Sequence, residues 1–171
     1  PRPPGKWLAP MPEVFVRPDV RQFLDFVAAN PGPKMSEVGH VQAREMMRAM
    51  RALCDLPTGD LAVIRNIAVP APGGHAIPVR LFDVRATRPA GPVMVFFHGG
   101  GFVLGDVDHY EPICAEISRQ LDIPVVSVDY RLAPEFPWPA GPDDCETAAR
   151  WVASSPEALG RQTTGLILAG D

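Results

Sequence analysis

Val93-Met94-Val95-Phe96-Phe97 runs directly into His98-Gly99-Gly100-Gly101-Phe102, and this junction decides the fold. Five consecutive apolar residues are typical of a strand buried on both faces, as in a parallel sheet covered by helices. The glycines then let the chain leave the sheet with positive φ angles, so that successive N–H groups turn to one side. The junction therefore predicts a buried strand followed by a loop whose backbone can bind an anion.

Helix and strand patterns alternate on the carboxyl side of this junction. Asp108 and Glu111 form a capping-box-like pair at the start of a helix in which Ile113, Ile117 and Leu121 recur every four residues. A β-α-β-α-β order implies a parallel sheet with right-handed crossovers. The predicted elements are strand 93–97, helix 108–121, strand 125–130, helix 142–154 and strand 166–169.

Two further β-like runs, 62–69 and 76–84, precede the junction, and the turn-forming segment 70–74 between them predicts a hairpin. Nearer the N-terminus, residues 1–17 are proline-rich and irregular. Periodic apolar residues predict a helix over 19–29 and a longer one over 36–53. The methionine-rich face of the longer helix fits either an adaptable part of the core or a mobile cap over a binding cleft. That face contains Val38, Met46, Met50 and Leu53, while Arg44, Arg48 and Arg51 lie elsewhere around the helix.

Composition excludes several classes of partner. The chain of 171 residues has a formal net charge of −4, so it lacks the basic field expected of a protein that binds nucleic acid or an anionic membrane surface. No apolar run approaches the ~20 residues of a membrane helix, and no signal peptide is visible, so we predict a cytoplasmic protein. Cys54, Cys114 and Cys145 are too far apart for a zinc or redox pair and are expected to be buried free thiols.

The glycine loop suits acyl transfer better than phosphate binding. Two backbone N–H groups directed at a developing oxyanion contribute on the order of a hundredfold to a thousandfold each in rate. Glycines at 99, 101 and 105 are one residue too widely spaced for the dinucleotide fingerprint, and no Gly-Lys-Ser/Thr follows. Asp129 could imitate a ribose-binding carboxylate, which keeps a nucleotide site as a minor alternative.

Three motifs occur in the order and approximate spacing that a known protein family shows. They are His98-Gly-Gly-Gly-Phe102, then Tyr130-Arg-Leu-Ala-Pro-Glu135 with Pro139-Ala140 and Asp143-Asp144, and finally Gly170-Asp171 after the last strand. In this respect residues 60–171 resemble the hormone-sensitive lipase family (family IV) of esterases in the α/β-hydrolase superfamily. The resemblance implies an α/β fold, with a mostly parallel sheet flanked by helices and an N-terminal helical cap. Phe136 and Trp138 depart from the family pattern in positions that affect packing rather than chemistry.

The resemblance also implies roles for individual residues. Gly100 and Gly101 would donate the oxyanion-hole N–H bonds, and Phe102 would line the ester pocket. Asp171 would position the backbone beside the nucleophile. Supporting roles in holding the loops would fall to His98, Gly99, Arg131, Glu135, Asp143 and Asp144.

The nucleophile itself is not in the sequence. Gly170-Asp171 would begin a Gly-x-Ser-x-Gly turn whose serine follows Asp171. All four histidines precede that position, whereas the triad base of this fold follows the serine, so none of them fits the base. We therefore expect about half of a polypeptide of roughly 300 residues. Residues 1–54 would be the N-terminal segment and cap helices, and 55–171 the first part of the core.

The predicted activity of the complete protein is hydrolysis of short- or medium-chain acyl esters through an acyl-enzyme, with no metal or organic cofactor. A non-catalytic small-molecule receptor of the same fold is the alternative, because a pocket can persist after a triad is lost. The expected partners are a small-molecule ester and the C-terminal half of the same protein, and an oligomer is possible. Phe23, Val38, Met46 and Met50 are candidates to line or cover the pocket.

Overall fold

The computed structural model describes residues 15–55 and 57–171, apart from the side chains of residues 52–54. Most of the proline-rich segment 1–17 and the Cys54 thiol therefore lie outside the described residues. The helices are α1 (Pro18–Ala29), α2 (His40–Cys54), α3 (Glu111–Leu121) and α4 (Ala140–Ala153). The strands are β1 (Val63–Pro70), β2 (Ala76–Asp83), β3 (Gly91–Phe97), β4 (Val125–Val128) and β5 (Thr163–Gly170).

Within the described residues, the five strands form one mixed sheet in the order β1-β2-β4-β3-β5. The predicted hairpin is present, since β1 pairs with β2 in antiparallel fashion. β3 lies between β4 and β5 and is parallel to both, as the β-α-β-α-β pattern predicts. Because β2 is antiparallel to both of its neighbours, it alone of the five runs against the others. The carboxyl ends of β3, β4 and β5 consequently meet at one edge of the sheet.

The core lies on both faces of the sheet, and β3 explains why. Alternate side chains of a strand point to opposite faces. Val93 and Val95 are buried with Ala148 and Val152 of α4 in one cluster. Met94 and Phe96 are buried in a second cluster with Cys114 and Ala115 of α3. The continuous apolar run therefore forms a doubly covered strand, as predicted.

The chain divides into two compact units, one ending at Glu37 and the other comprising Val38–Asp171. α1 belongs to the first unit, whereas α2 belongs to the second with the sheet. The domain boundary between residues 54 and 55 stays a prediction. No helix among the described residues has the length and apolarity needed to cross a bilayer.

Two details of the helices differ from the sequence-based expectation. The helix predicted over 36–53 is interrupted: Met35–Glu37 form a short 3-10 turn, Gly39 is extended, and α2 begins only at His40. Glycine is well tolerated at this N-cap position, so the break costs little. Val38 therefore lies outside α2 and does not share a helical face with Met46.

The capping-box expectation at Asp108 is wrong. α3 begins three residues later at Glu111, and no side chain caps it. The Asp108 carboxylate instead accepts a hydrogen bond of 2.7 Å from Arg80 Nη1, and Glu111 pairs with the same guanidinium. A cation on β2 thus competes successfully with the helix N-terminus for both carboxylates.

The inward face of α3 is also narrower than the apolar repeat suggests. Ile113 and Leu121 are exposed, and the buried positions are Cys114, Ala115 and Ser118.

Candidate functional site

The loop that follows β3 is a tight turn built around Gly100. Val103 N and Leu104 N both donate to the Gly100 carbonyl, at 3.1 and 2.9 Å. Gly100 has a φ of 118°, and a Cβ at this position would lie 2.2 Å from the Leu104 carbonyl oxygen. Any other residue would therefore force the turn to open.

The three glycine N–H groups of the loop are used differently. Gly99 N donates to Asp171 Oδ1 at 2.6 Å. The N–H groups of Gly100 and Gly101 donate to no acceptor in the part of the chain that the structure describes. Two adjacent backbone donors therefore remain available at the carboxyl end of β3.

Asp171 joins this loop to the end of β5. The register of β3 and β5 pairs Phe97 with Gly170, so the two strands end side by side. Asp171 Oδ2 accepts a hydrogen bond of 2.9 Å from the Tyr110 hydroxyl, while its other oxygen holds Gly99. Burial, together with the bond to Asp171, raises the pKa of Tyr110 to about 12, so this hydroxyl remains a donor at neutral pH.

His98 is buried beneath the loop. Its Nδ1 lies 2.9 Å from the Gly99 carbonyl oxygen, and because a carbonyl only accepts, Nδ1 carries the proton. The imidazole stacks on the Tyr130 ring with 4.3 Å between centroids, and the Tyr130 hydroxyl donates to the His98 carbonyl. Burial raises the pKa of Tyr130 to about 12. His98 thus connects the glycine loop with the loop that follows β4.

Arg131 and Asp144, two of the residues assigned a supporting role from the sequence, form a network behind that second loop. Asp144 is 2% exposed and accepts from Arg131 N, Nε and Nη2 at 2.9–3.0 Å. His75 Nε2, in the turn between β1 and β2, lies 3.0 Å from the same carboxylate. Burial acts to raise the pKa of Asp144, but the hydrogen bonds from Arg131 and His75 outweigh it and lower the pKa. Asp143 stands apart: it is exposed in the first turn of α4 and makes no ion pair with any described residue.

Glu135 has a partner that the motifs do not indicate. Arg44 of α2 forms a bidentate pair with its carboxylate, Nη1 to Oε1 at 2.7 Å and Nη2 to Oε2 at 2.9 Å. This hydrogen bonding lowers the pKa of Glu135 to about 2. Arg44 also donates to the carbonyls of Val103 and Ala133, at 2.8 and 2.9 Å. No local sequence signal marks Arg44, because its partners lie 59 to 91 residues away along the chain.

Phe102 lies at the rim of the loop with an unusual backbone. Its φ of 61° is a conformation that costs a non-glycine residue on the order of 1–3 kcal/mol. The side chain is half exposed and lines an open cavity of about 610 Å³ together with Tyr130, Leu168 and Asp171. The Phe102 carbonyl accepts from Ala133 N at 2.8 Å, which ties the two loops together.

The remaining candidate groups are chemically quiet. Burial raises the pKa of both Cys114 and Cys145 to about 12, so each thiol is protonated at neutral pH and is a poor nucleophile. Both are free thiols. Among the described residues, no cluster of three or more histidine, cysteine or acidic side chains could hold a metal ion.

The sheet is covered on both faces, and the glycine loop meets the end of β5 where the parallel strands β3, β4 and β5 have their carboxyl ends. This arrangement is the architecture of the α/β-hydrolases. A family model described as the alpha/beta hydrolase fold matches residues 94–171. This match and the observed architecture confirm the predicted resemblance and the α/β-hydrolase fold class.

Similar proteins carry esterase names. The chain is 31% identical over 162 residues to an ethyl acetate hydrolase of Pseudomonas putida, covering 91% of this chain and 51% of that protein. It is 44% identical over 95 residues to carboxylesterase NlhH of Mycobacterium tuberculosis, covering 56% of this chain and 30% of that protein. A hyperthermophilic esterase structure from the archaeon Pyrobaculum calidifontis superposes with a TM-score of 0.79 at 32% identity, over 91% of this chain and 49% of that one. The matched part of the chain thus spans about half of two of these proteins and about a third of the other.

Proposed function

We propose that the full-length protein is a serine carboxylesterase whose oxyanion hole is formed by the N–H groups of Gly100 and Gly101. The observation that carries the proposal is the differential use of the three glycines. Gly99 is engaged by Asp171, whereas the next two N–H groups have no acceptor among the described residues and lie beside the end of β5. Paired donors of this kind stabilise the negative charge that develops on a carbonyl oxygen during acyl transfer.

The nucleophile of the proposed reaction is a serine directly after Asp171, at the turn that follows β5. Its oxygen attacks the ester carbonyl while a histidine further along the polypeptide accepts the hydroxyl proton. The resulting oxyanion lies against Gly100 N and Gly101 N. The bond to the alcohol oxygen then breaks, the same histidine protonates the departing alcohol, and water hydrolyses the acyl-enzyme.

Short- or medium-chain acyl esters are the proposed substrates. The Pseudomonas putida relative is named for ethyl acetate, an ester with a small acyl group and a small alcohol. Phe102 presents an exposed aromatic ring next to the two free donors, where it would contact the ester. α1 and α2 are proposed as parts of the cap, with Met46 and Met50 as candidate contacts on α2. No cofactor is part of this mechanism.

Labelling of the full-length protein with a fluorophosphonate tests the proposal directly, because this reagent reacts with an activated serine. Labelling at the residue after Asp171, together with hydrolysis of p-nitrophenyl butyrate, is expected. A folded protein that neither labels nor hydrolyses the ester would contradict the proposal and favour a receptor of the same fold.

Replacement of Gly100 tests the oxyanion role separately. Gly100→Pro removes one N–H group and cannot adopt the positive φ, so kcat/KM should fall by a factor on the order of a hundred to a thousand. Gly74→Ala is the control, because Gly74 also has a positive φ (78°) but lies in the β1–β2 turn with no atom within 4 Å of an added Cβ. Wild-type kcat/KM in Gly100→Pro would rule out the assigned role.

A further inference from the structure

Arg44 touches both loops of the candidate site through backbone carbonyls. Its side chain is 17% exposed, and its Nε and Nη2 donate to Val103 O at 2.8 Å and Ala133 O at 2.9 Å. The first acceptor belongs to the glycine turn and the second to the loop after β4. Because α2 supplies the donor, one guanidinium joins three separate segments of the chain.

The contact with Val103 leads to Gly101 through two peptide groups. In a trans peptide the C=O and the following N–H point in opposite directions. Arg44 therefore holds the Val103 carbonyl on one side of a peptide unit whose other side is the Leu104 N–H, and this N–H donates to Gly100 O at 2.9 Å. The Gly100 carbonyl belongs in turn to the peptide unit that carries the Gly101 N–H. The series runs from the cation to the proposed oxyanion donor with no gap.

A cation at one end of such a series has two effects. It fixes the orientation of both peptide planes, and it polarises them, because hydrogen bonds arranged in a chain strengthen one another. Both effects favour an N–H at position 101 that is aimed and ready before an oxyanion forms. The bidentate pair with Glu135 holds the guanidinium fork in place for this task.

We propose that Arg44 is a positioning residue for the oxyanion hole, acting on the Gly101 N–H through the Val103–Leu104 and Gly100–Gly101 peptide groups. This inference rests on the proposed function, because the acceptor it assigns to the Gly101 N–H is the oxyanion that forms during ester hydrolysis. Lysine is a poor substitute, because a single ammonium group lacks the planar fork that reaches Val103 O, Ala133 O and Glu135 together.

The test compares Arg44→Met and Arg44→Lys with Arg51→Met in the full-length enzyme. Arg51 provides a matched control: it lies on the same helix, and its ion pair is a 3.8 Å contact with Asp55 one turn away. Two probes are used, p-nitrophenyl butyrate as substrate and 1,1,1-trifluoroheptan-2-one as inhibitor. The serine oxygen adds to the ketone carbon while its proton passes to the histidine, and the carbonyl π electrons move to oxygen. The adduct therefore carries an oxyanion that the ground-state ester lacks.

Arg44→Met is expected to lower kcat/KM about tenfold, less than the loss of a whole donor, because the N–H remains but is misaligned. Inhibitor affinity should fall by the same factor while KM changes less than twofold. Arg44→Lys should recover part of both losses, and Arg51→Met should stay within twofold of wild type. A purely structural role would lower the melting temperature without changing kcat or inhibitor affinity, and that result would overturn the inference.

Two outcomes separate this inference from the proposed function. If the wild-type protein hydrolyses the ester and Gly100→Pro is impaired, but Arg44→Met retains full kcat and inhibitor affinity, only the role of Arg44 is wrong. If the wild-type protein shows no ester hydrolysis, the proposed function fails first and the inference fails with it. Should Arg44→Met not fold, the paired losses of kcat/KM and inhibitor affinity in Arg44→Lys decide the question in the same way.

Discussion

Both ends of the sheet contain clusters of charged side chains, but one cluster binds only the protein's own groups and the other leaves two backbone donors without an acceptor in the described part of the chain. At the amino ends of β3, β4 and β5, Asp83 is fully buried at the end of β2. Its carboxylate accepts from Arg85 N and Arg88 Nε at 2.8 Å and from Arg161 Nε at 2.9 Å. Arg88 also donates to the Asp122 carbonyl at 2.7 Å, and Arg161 donates to the Arg85 carbonyl at 3.1 Å. The segments that lead into β3, β4 and β5 are each bound to this carboxylate or to one of its arginine partners.

At the carboxyl ends of β3, β4 and β5, the hydrogen-bond network leaves some donors without an acceptor from the residues that the structure describes. Asp171 and Arg44 anchor the glycine turn from two sides, yet Gly100 N and Gly101 N have no acceptor among the described residues. Two adjacent N–H groups without a protein acceptor, on a turn that is held from two sides, can converge on an anionic oxygen of a ligand. A network in which every donor has a protein acceptor stabilises the fold. A network that holds a turn in place but leaves two of its donors free provides a binding site.

The largest expected effect is a loss of stability when the Asp83 cluster is broken. Asp83→Asn removes the charge that compensates Arg88 and Arg161, whose side chains are 12% and 9% exposed. Breaking a buried ion pair on one side typically costs about 3–5 kcal/mol in the free energy of unfolding. Urea denaturation of the full-length protein should show a loss of this size, while kcat of the folded fraction stays near the wild-type value. A large fall in kcat without a loss of stability would contradict the division between the two ends.

A smaller effect is expected at the carboxyl end, and it should appear in activity. Asp171→Ala removes the acceptor of both Gly99 N–H and the Tyr110 hydroxyl, and hydrogen bonds to a charged group contribute about 1.5–3 kcal/mol. Because the glycine turn loses one of its two anchors, kcat/KM for p-nitrophenyl butyrate should fall at least about tenfold.

Tyr110→Phe provides the matching partial change, since it leaves the bond between Asp171 and Gly99 in place. Its effect should be the smaller of the two, and it should disappear in the Asp171→Ala background because the hydroxyl has then already lost its partner. Strict additivity of the two substitutions would show that they act through different interactions.

The smallest expected effect concerns pH. Hydrogen bonding to Arg44 holds the pKa of Glu135 at about 2, below its ordinary value of 4.5. A carboxylate whose pKa is lower in the folded state stabilises the fold fully above the ordinary pKa, and this contribution is lost as the pH falls toward the folded-state pKa. The stability advantage of wild type over Glu135→Gln should therefore shrink as the pH falls below about 4.5.

Urea denaturation of both proteins at several pH values between about 3.5 and 8 measures this difference. Lys34→Ala serves as a control, because its exposed pair with Glu37 lies at 3.3 Å in the other compact unit. A wild-type advantage that grows on acidification would contradict the assignment of the Arg44–Glu135 pair.

Sequence patterns predicted the elements whose formation depends on interactions between residues close together in the chain. The apolar run of β3 and the hairpin of β1 and β2 were predictable because burial on two faces and turn chemistry both act over a few residues. The start of α3 was missed because Asp108, a good capping residue, is claimed by Arg80 of a distant strand. The interruption at Gly39 was missed because residues on both sides of it continue a helical pattern.

Sequence by itself determined the alternation of strands and helices and the glycines able to expose two backbone donors, because strand burial and positive φ are properties of short segments. The α/β-hydrolase fold followed from the resemblance of three motifs to the hormone-sensitive lipase family. Only the tertiary structure decided which charges support the loop. Arg44 meets Glu135 across 91 residues, and Asp171 meets Gly99 across 72. No short-range pattern encodes such pairs, since their geometry exists only after β3, β4 and β5 have aligned and brought their carboxyl ends together.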